Sequence, residues 1–177
     1  MGSLSEYRNR DHFSYSALNQ FLSICGLQYF FDRIAKLPKT FTPVSLSFGS
    51  SYHRATEWIN LQRKDGVVPQ PEESSDLFAE VWSRQLEEDR DIRFGKDQDA
   101  ETCLHQGMSM VAAYVEQIDT AERVLAVNEA FAVAMVDAAG NVLEKPMVGE
   151  LDLVVDSGGI VVCDEKSSAR RWPKGQA

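Results

Sequence analysis

The spacing of apolar residues changes once along this chain, near residue 124, and the change limits the folds that the chain can adopt. Before that point, apolar residues recur every three or four positions over residues 14–29, 51–63, 76–88 and 98–118, which predicts four helices. After it, residues 124–136, 142–155 and 160–166 are rich in strand-forming residues, with glycine-containing turns between them. We therefore predict an α/β (α+β) domain in which a mixed β-sheet is flanked by helices.

The composition suits one domain. The chain has 177 residues, of which 44% are hydrophobic and 25% charged. Residues 1–13 are predicted to be a flexible N-terminal segment, and residues 14–177 the folded domain. With no apolar run of membrane-spanning length and no charged-then-apolar leader, no membrane partner is expected. The three cysteines form no CxxC pair, which argues against a disulfide framework and a zinc site and predicts a cytoplasmic protein.

The net charge of −9 is concentrated in one segment. Residues 72–101 hold eleven acidic and four basic residues, which accounts for −7 of the total, and the rest of the chain is close to balanced. A nucleic-acid partner normally calls for a basic surface. One acidic segment on an otherwise balanced chain is evidence neither against DNA binding nor for it.

The last two predicted strands form a hairpin that brings two aspartates together. If residues 157–159 form a three-residue loop, Asp156 faces Ile160 and the pairing continues in that register. Asp152 then lies opposite Asp164, with Cβ atoms about 4.5–5.5 Å apart, where like charges repel each other. A divalent cation shared by the two carboxylates is the simplest reason for keeping them there. The alternative is a surface hairpin with ordinary charges.

Lys166 adds an ammonium group to this predicted pair of carboxylates. It follows Asp164 by two residues, so both side chains point to the same face, and the register places it opposite Glu150. An oxygen-rich site of this kind suits Mg²⁺ or Mn²⁺. A bound metal ion lowers the pKa of its water and polarises a phosphoryl oxygen, and the lysine can orient that water or offset charge on the phosphate. The predicted reaction is phosphodiester hydrolysis.

These residues resemble the motifs of a nuclease family. Gly149-Glu150-Leu151-Asp152 followed by Asp164-Glu165-Lys166 resembles the Gly-x-x-Asp and Asp-x-Lys motifs of the PD-(D/E)XK nuclease superfamily. The chain is more narrowly similar to the RecB-like branch, which includes RecB and AddB nuclease domains, CRISPR-associated exonucleases and phage exonucleases. Three further segments resemble that branch in order: an opening helix at residues 14–29, a Gly-x-x-x-His element at 49–53 and a strand at 127–131.

The resemblance implies a restriction-endonuclease-like fold and a set of site residues. Carried over position by position, it gives His53, Asp152 and Asp164 as ligands of Mg²⁺ or Mn²⁺. The backbone carbonyl of Glu165 is a further ligand that it implies. Lys166 becomes the catalytic lysine, acting with the two aspartates.

Several of these residues have a plainer interpretation. His53 and Glu57 share a helix face and could form an ordinary pair. Glu150 is either a partner for Lys166 or a solvated strand residue. Three aromatic residues at helical spacing are predicted to lie in the core rather than to stack on bases: Trp58, Trp82 and Tyr114.

An iron–sulfur cluster, which some RecB-like nucleases hold, is not expected in this chain. Such a cluster needs four thiolates, and the chain has only Cys25, Cys103 and Cys163, widely separated. We predict that Cys25 is a buried small apolar residue and that the other two cysteines belong to the core.

The resemblance further implies a deoxyribonuclease, an exonuclease acting on a DNA single strand or duplex end in DNA repair, recombination, or phage or CRISPR processing. It implies a helicase or recombination protein as a partner. Because the family continues with a Gln-x-x-x-Tyr helix, we expect the C-terminal part of the domain to be missing. Two alternatives stay open: a catalytically silent nuclease fold that binds DNA or a helicase, and a metallohydrolase for small phosphoesters.

Four residues near the C-terminus are candidates for contacting DNA. They combine three cations with one aromatic ring, which suits a phosphate backbone and an unstacked base. A basic tail without this role is the alternative. The residues are Arg170, Arg171, Trp172 and Lys174.

Overall fold

Residues 3–167 are described by a computed structural model of the chain. The helices are α1 (Leu4–Arg8), α2 (Tyr15–Asn19), α3 (Gly26–Tyr29), α4 (Val44–Lys64), α5 (Pro71–Glu88) and α6 (Ala100–Glu116), with π-helical turns at Gln20–Ile24 and Phe30–Ile34. The strands are β1 (Thr42–Pro43), β2 (Ile92–Arg93), β3 (Arg123–Val133), β4 (Met147–Asp156) and β5 (Ile160–Cys163). The described residues divide into a first unit, 3–39 with 128–151, and a second unit, 40–127 with 152–167.

The strands form two sheets. β1 and β2 are a short parallel pair. The larger sheet has the order β3-β4-β5, and β4 runs antiparallel to β5. Helices combined with parallel and antiparallel strands confirm the predicted α+β class. The sequence pattern does not indicate β1 and β2, because strands of two residues leave no periodic signal.

The hydrophobic core of the second unit lies among α4, α5 and α6. Ile59 of α4, Phe78 of α5 and Val111 of α6 are fully buried, and Trp82 is almost so. The indole Nε1 of Trp82 donates a hydrogen bond to the backbone oxygen of Ala100 at 3.0 Å, so its polar group is satisfied inside the core. The prediction that Trp82 is a core residue is therefore confirmed.

Gly107 of α6 lets the ring of Phe78 lie against the helix backbone, because a methyl group at this position would overlap the ring. We expect Gly107→Ala to lower the free energy of unfolding by about 1–3 kcal/mol, the usual cost of overpacking a core. Urea denaturation followed by circular dichroism measures the change. Gly159→Ala is the matched control, since a methyl group there meets no atom of the described residues within 4 Å. Equal losses of stability in the two variants would contradict the packing argument.

Helices α4 and α5 begin earlier than the apolar spacing predicts. The sequence predicts a helix from residue 51, after Gly49, whereas α4 starts at Val44 and contains that glycine. Val44 and Ser47 are buried, so the first turn is anchored in the core. α5 starts at Pro71 rather than at residue 76, because the fixed φ of proline and its missing N–H suit the first helical position.

The predicted helix over residues 14–29 is interrupted. Ser14 caps its start by accepting a hydrogen bond from Ala17 N at 3.3 Å. The helix then passes into a π-helical turn and stops at Cys25, whose φ of −164° and ψ of 114° are extended. Cys25 is consequently exposed, and the prediction that it is buried is wrong. A π-helical turn shifts the phase of the residues after it, so the apolar spacing no longer defines one buried face.

Other parts of the first unit agree more closely with the predictions made from the sequence. The predicted turn at 139–141 is present, with Gly140 at a φ of 85° and Asp137 accepting hydrogen bonds from two backbone N–H groups of the turn. Phe13 N donates to the Pro146 backbone oxygen at 2.9 Å. Residues 1–13, for which flexibility is predicted, include the short helix α1.

Candidate active site

The hairpin between β4 and β5 has the predicted register. Four opposed pairs begin with Asp156 and Ile160 beside the loop and confirm the predicted pairing. β5 ends with the last of these pairs, at Cys163. Asp152 on β4 and Asp164 after β5 come directly beyond that pair, at the open end of the hairpin.

The carboxylate of Asp152 is held on one side by the backbone and faces a histidine on the other. Its Oδ2 accepts a hydrogen bond from Glu165 N at 2.8 Å. Its Oδ1 lies 3.7 Å from Nε2 of His53. The Asp152 side chain is only 14% exposed, against 34% for His53. The two side chains therefore form a partly shielded polar pair that remains open to solvent on the histidine side.

His53 reaches this pair from α4. The buried face of the helix includes Ser51, Ala55 and Ile59, and His53 lies between the first two of these in sequence. The His53 side chain therefore projects from the flank of the helix and not from the face that packs into the core. Within the described part of the chain its ionic contact is with Asp152 and not with Glu57, the partner that sequence spacing alone suggests.

Asp164 and Lys166 form an ion pair of their own. Nζ of Lys166 lies 2.6 Å from Oδ1 of Asp164, and the two side chains are 58% and 64% exposed. The contact shows that both side chains project to the same side of the chain, as their spacing predicts. An ammonium group in this position is accessible to a phosphate from solvent.

The donor types of this region fit Mg²⁺ or Mn²⁺, which prefer carboxylate and carbonyl oxygens. Within residues 3–167, no group of three or more His, Cys, Asp and Glu side chains is close enough to hold a metal ion. His53 and Asp152 come together, whereas Asp164 is paired with Lys166. The predicted ligand set consists of these three side chains and the Glu165 carbonyl, and it stays a prediction. Of its side chains, His53 and Asp152 are in contact with each other.

The side chain of Glu165 belongs to a polar cluster that the sequence analysis missed. Its Oε1 accepts hydrogen bonds from the Tyr114 hydroxyl at 2.6 Å and from Asn60 Nδ2 at 3.0 Å. Tyr114, predicted only to be a core residue, is therefore also a hydrogen-bond donor. Strand alternation was the available signal, since the middle residue of Asp-x-Lys is expected to project to the opposite face, where a partly buried carboxylate needs hydrogen-bond partners.

Two tyrosines near Glu165 have raised pKa values. Burial and then the negative charge of Glu165 raise the pKa of the Tyr52 hydroxyl to about 12. The same two causes, in the same order of size, raise the pKa of the Tyr114 hydroxyl well above its ordinary value. Tyr114 is therefore protonated at neutral pH and acts as a donor to the carboxylate.

Two of the motif segments contact each other in the first unit. A Cβ atom at Gly149 would lie 2.5 Å from Cζ of Phe131, so only glycine leaves room for this ring. Gly149 opens the Gly-x-x-Asp segment, and Phe131 ends the segment at 127–131. Glu150 is partly buried on β4, and its role as a partner of Lys166 stays a prediction.

The remaining candidates are divided between the core and the C-terminus. Cys103 is buried, which confirms its core position, and Cys163 is partly buried. Arg170, Arg171, Trp172 and Lys174 lie outside the described residues, and their contacts with DNA stay a prediction.

The fold and the hairpin motifs define the class of this protein. The sequence profile of the PD-(D/E)XK nuclease superfamily matches residues 12–176. The chain therefore belongs to the PD-(D/E)XK nuclease superfamily, and its class of activity is that of a nuclease. No curated protein and no solved structure matches the chain. Among the described helices, none is long and apolar enough to cross a membrane.

Proposed function

We propose that the chain is a Mg²⁺- or Mn²⁺-dependent deoxyribonuclease of the RecB-like branch, acting as an exonuclease on a DNA single strand or duplex end. The observation that carries this proposal is the carboxylate of Asp152, which is fixed by Glu165 N and directed at His53. A carboxylate and an imidazole held together beside an Asp-x-Lys segment support a metal site of the kind that the family resemblance implies. The donor types support a hard divalent cation.

The residues that would hold the metal ion are His53, Asp152, Asp164 and the backbone carbonyl of Glu165. When bound there, the ion supplies a water molecule of lowered pKa and polarises the scissile phosphate. The hydrogen bond from Glu165 N keeps the Asp152 carboxylate in one orientation, so it does not have to be ordered when the ion arrives.

Lys166 is the chain's own cationic group at this position. In the proposed reaction its ammonium group offsets the negative charge that develops on the phosphate, or orients the attacking water. Its side chain is 58% exposed, so it can reach a phosphodiester that approaches from solvent. Its Nζ lies 2.6 Å from Oδ1 of Asp164, and this contact keeps the ammonium group close to the hairpin.

The resemblance to the RecB-like branch supports the finer parts of the proposal. It favours a role in DNA repair, recombination, or phage or CRISPR processing in the cytoplasm, with a helicase or recombination protein as a partner. We assign the DNA contacts of the C-terminal segment to Arg170, Arg171, Trp172 and Lys174.

The test is cleavage of end-labelled single- and double-stranded DNA in the presence of Mn²⁺, Mg²⁺ or EDTA. We expect cutting with either metal ion and none with EDTA, and a ladder of shortened products that shows from which end the enzyme proceeds. A labelled RNA of the same sequence and a small phosphodiester serve as comparison substrates. Cleavage of the small phosphodiester without any preference for DNA would identify a metallohydrolase instead.

A catalytically silent nuclease fold is the second candidate, and one observation favours it. In the described part of the chain Asp164 contacts Lys166 and no group of three ligands is assembled. This candidate predicts that the protein binds DNA or a helicase but leaves DNA whole at every metal concentration. DNA binding without cleavage in the same assay would therefore show that the chain is a DNA-binding module and not an active nuclease.

A further inference from the structure

The peptide group that holds Asp152 lies beyond the paired part of the hairpin. β5 ends at Cys163, so the pairing with β4 does not fix the N–H group of Glu165. That N–H group nevertheless donates to Asp152 at 2.8 Å. Something other than the strand ladder must keep this peptide in place.

The side chain of the same residue supplies an anchor. Oε1 of Glu165 accepts from both Tyr114 of α6 and Asn60 of α4, at 2.6 and 3.0 Å. Hydrogen bonds to a carboxylate are shorter and stronger than those between neutral groups. Both donors lie on long helices of the second unit, so Glu165 is tied to the helical core by its side chain and to Asp152 by its backbone.

The orientation of Asn60 is fixed in turn by a buried arginine. Asn60 is 1% exposed, and its Oδ1 accepts from Nη1 of Arg63 at 2.8 Å. Nη2 of Arg63 lies 3.2 Å from Oε2 of Glu122, and the arginine side chain is only 6% exposed. Because the oxygen of the Asn60 amide faces Arg63, its NH₂ group must face Glu165. The contacts thus form one connected series from Glu122 to Asp152.

We propose that Tyr114 and Asn60, acting through Glu165, are positioning residues for the Asp152 carboxylate. This inference rests on the proposed function, because the positioning of Asp152 matters for activity only if its carboxylate binds the metal ion as proposed. Removing one hydrogen-bond partner of a metal ligand typically lowers metal affinity or activity about 10–100-fold. We expect a loss of that size when the side chain of Glu165 is released from α6.

The main variant is Tyr114→Phe, which removes the hydroxyl and keeps the ring. Hydrogen exchange of the Glu165 amide, followed by nuclear magnetic resonance in the metal-free protein, measures how firmly the N–H group is held. We expect its protection to fall about tenfold or more, while the thermal transition of the protein stays cooperative. Tyr15→Phe is the matched control, because Tyr15 is 76% exposed, and it should leave the amide as in the wild type.

Binding and kinetics give the second readout. Electron paramagnetic resonance of Mn²⁺ should show affinity reduced about 10–100-fold in Tyr114→Phe, and cleavage should lose kcat with little change in the KM for DNA. Glu165→Gln keeps an oxygen that can accept both hydrogen bonds and should retain most of the amide protection. Glu165→Ala cannot do so and should behave like Tyr114→Phe.

Two results separate this inference from the proposed function. If Tyr114→Phe and Glu165→Ala fold and keep the amide protection of the wild type, the positioning role is wrong, whatever the enzyme cleaves. If the wild type cleaves no DNA but these two variants still lose the protection, the positioning stands and the nuclease proposal fails.

Discussion

Lys166→Ala is expected to lower the rate of metal-dependent DNA cleavage about 10²–10⁴-fold, the range for losing a positioned group that moves a proton or stabilises charge. The variant loses the ammonium group that we place beside the scissile phosphate. It should fold normally, because both members of the ion pair with Asp164 are largely exposed, and exposed pairs add little to stability. Initial rates on end-labelled DNA at saturating Mn²⁺ measure the effect.

Lys96→Ala is the control for this experiment, since Lys96 is exposed and belongs to the acidic segment 72–101 rather than to the hairpin. It should cleave at the wild-type rate. If Lys166→Ala also keeps more than a tenth of the wild-type rate while its thermal transition is normal, Lys166 is not the catalytic lysine. The ion pair with Asp164 would then be an ordinary surface contact.

Asp152→Asn should reduce Mn²⁺ affinity about 100-fold or more and remove cleavage at ordinary metal concentrations, since losing the ligand that we propose should cost at least as much as losing a group that supports it. The amide oxygen of the variant can still accept the hydrogen bond from Glu165 N. Its NH₂ group then faces His53 in place of Oδ1, and an NH₂ group does not bind a metal ion. Titration of Mn²⁺ by electron paramagnetic resonance gives the affinity, and the cleavage assay gives the rate.

The same substitution at the last residue of β4, beside the hairpin loop, separates this effect from a general change of charge. Asp156 lies 3.2 Å from Nη2 of Arg123 at an exposed position, and Asp156→Asn should leave metal affinity and cleavage unchanged. If Asp152→Asn keeps the Mn²⁺ affinity of the wild type, Asp152 is not a metal ligand, and Asp164 becomes the carboxylate to test.

The hairpin was predictable because its determinants are local. A Ser-Gly-Gly loop limits the pairing of the two strands to a few registers, and strand alternation then assigns each side chain to a face. The pairing of Asp156 with Ile160 follows directly. Helix starts are less predictable, since glycine in sequence indicates a helix break, whereas α4 contains Gly49 and is anchored before it by the buried Val44 and Ser47.

Interactions between distant parts of the chain could not be predicted in this way. The Glu165 side chain meets Asn60 and Tyr114, which come from two different helices, and no local pattern brings these three residues together. The interruption at Cys25 was equally hidden, because apolar spacing does not distinguish an α-helix from one that contains π-helical turns.

The close packing of Phe131 on Gly149 has a consequence for the evolution of this hairpin. Because a methyl group at 149 and the aromatic ring at 131 compete for the same space, the effects of mutations at the two positions cannot be independent. Alanine at 149 becomes tolerable only when a smaller side chain has replaced the ring. Among related sequences, substitutions at these two positions should therefore occur together, and a change at one position alone should be selected against.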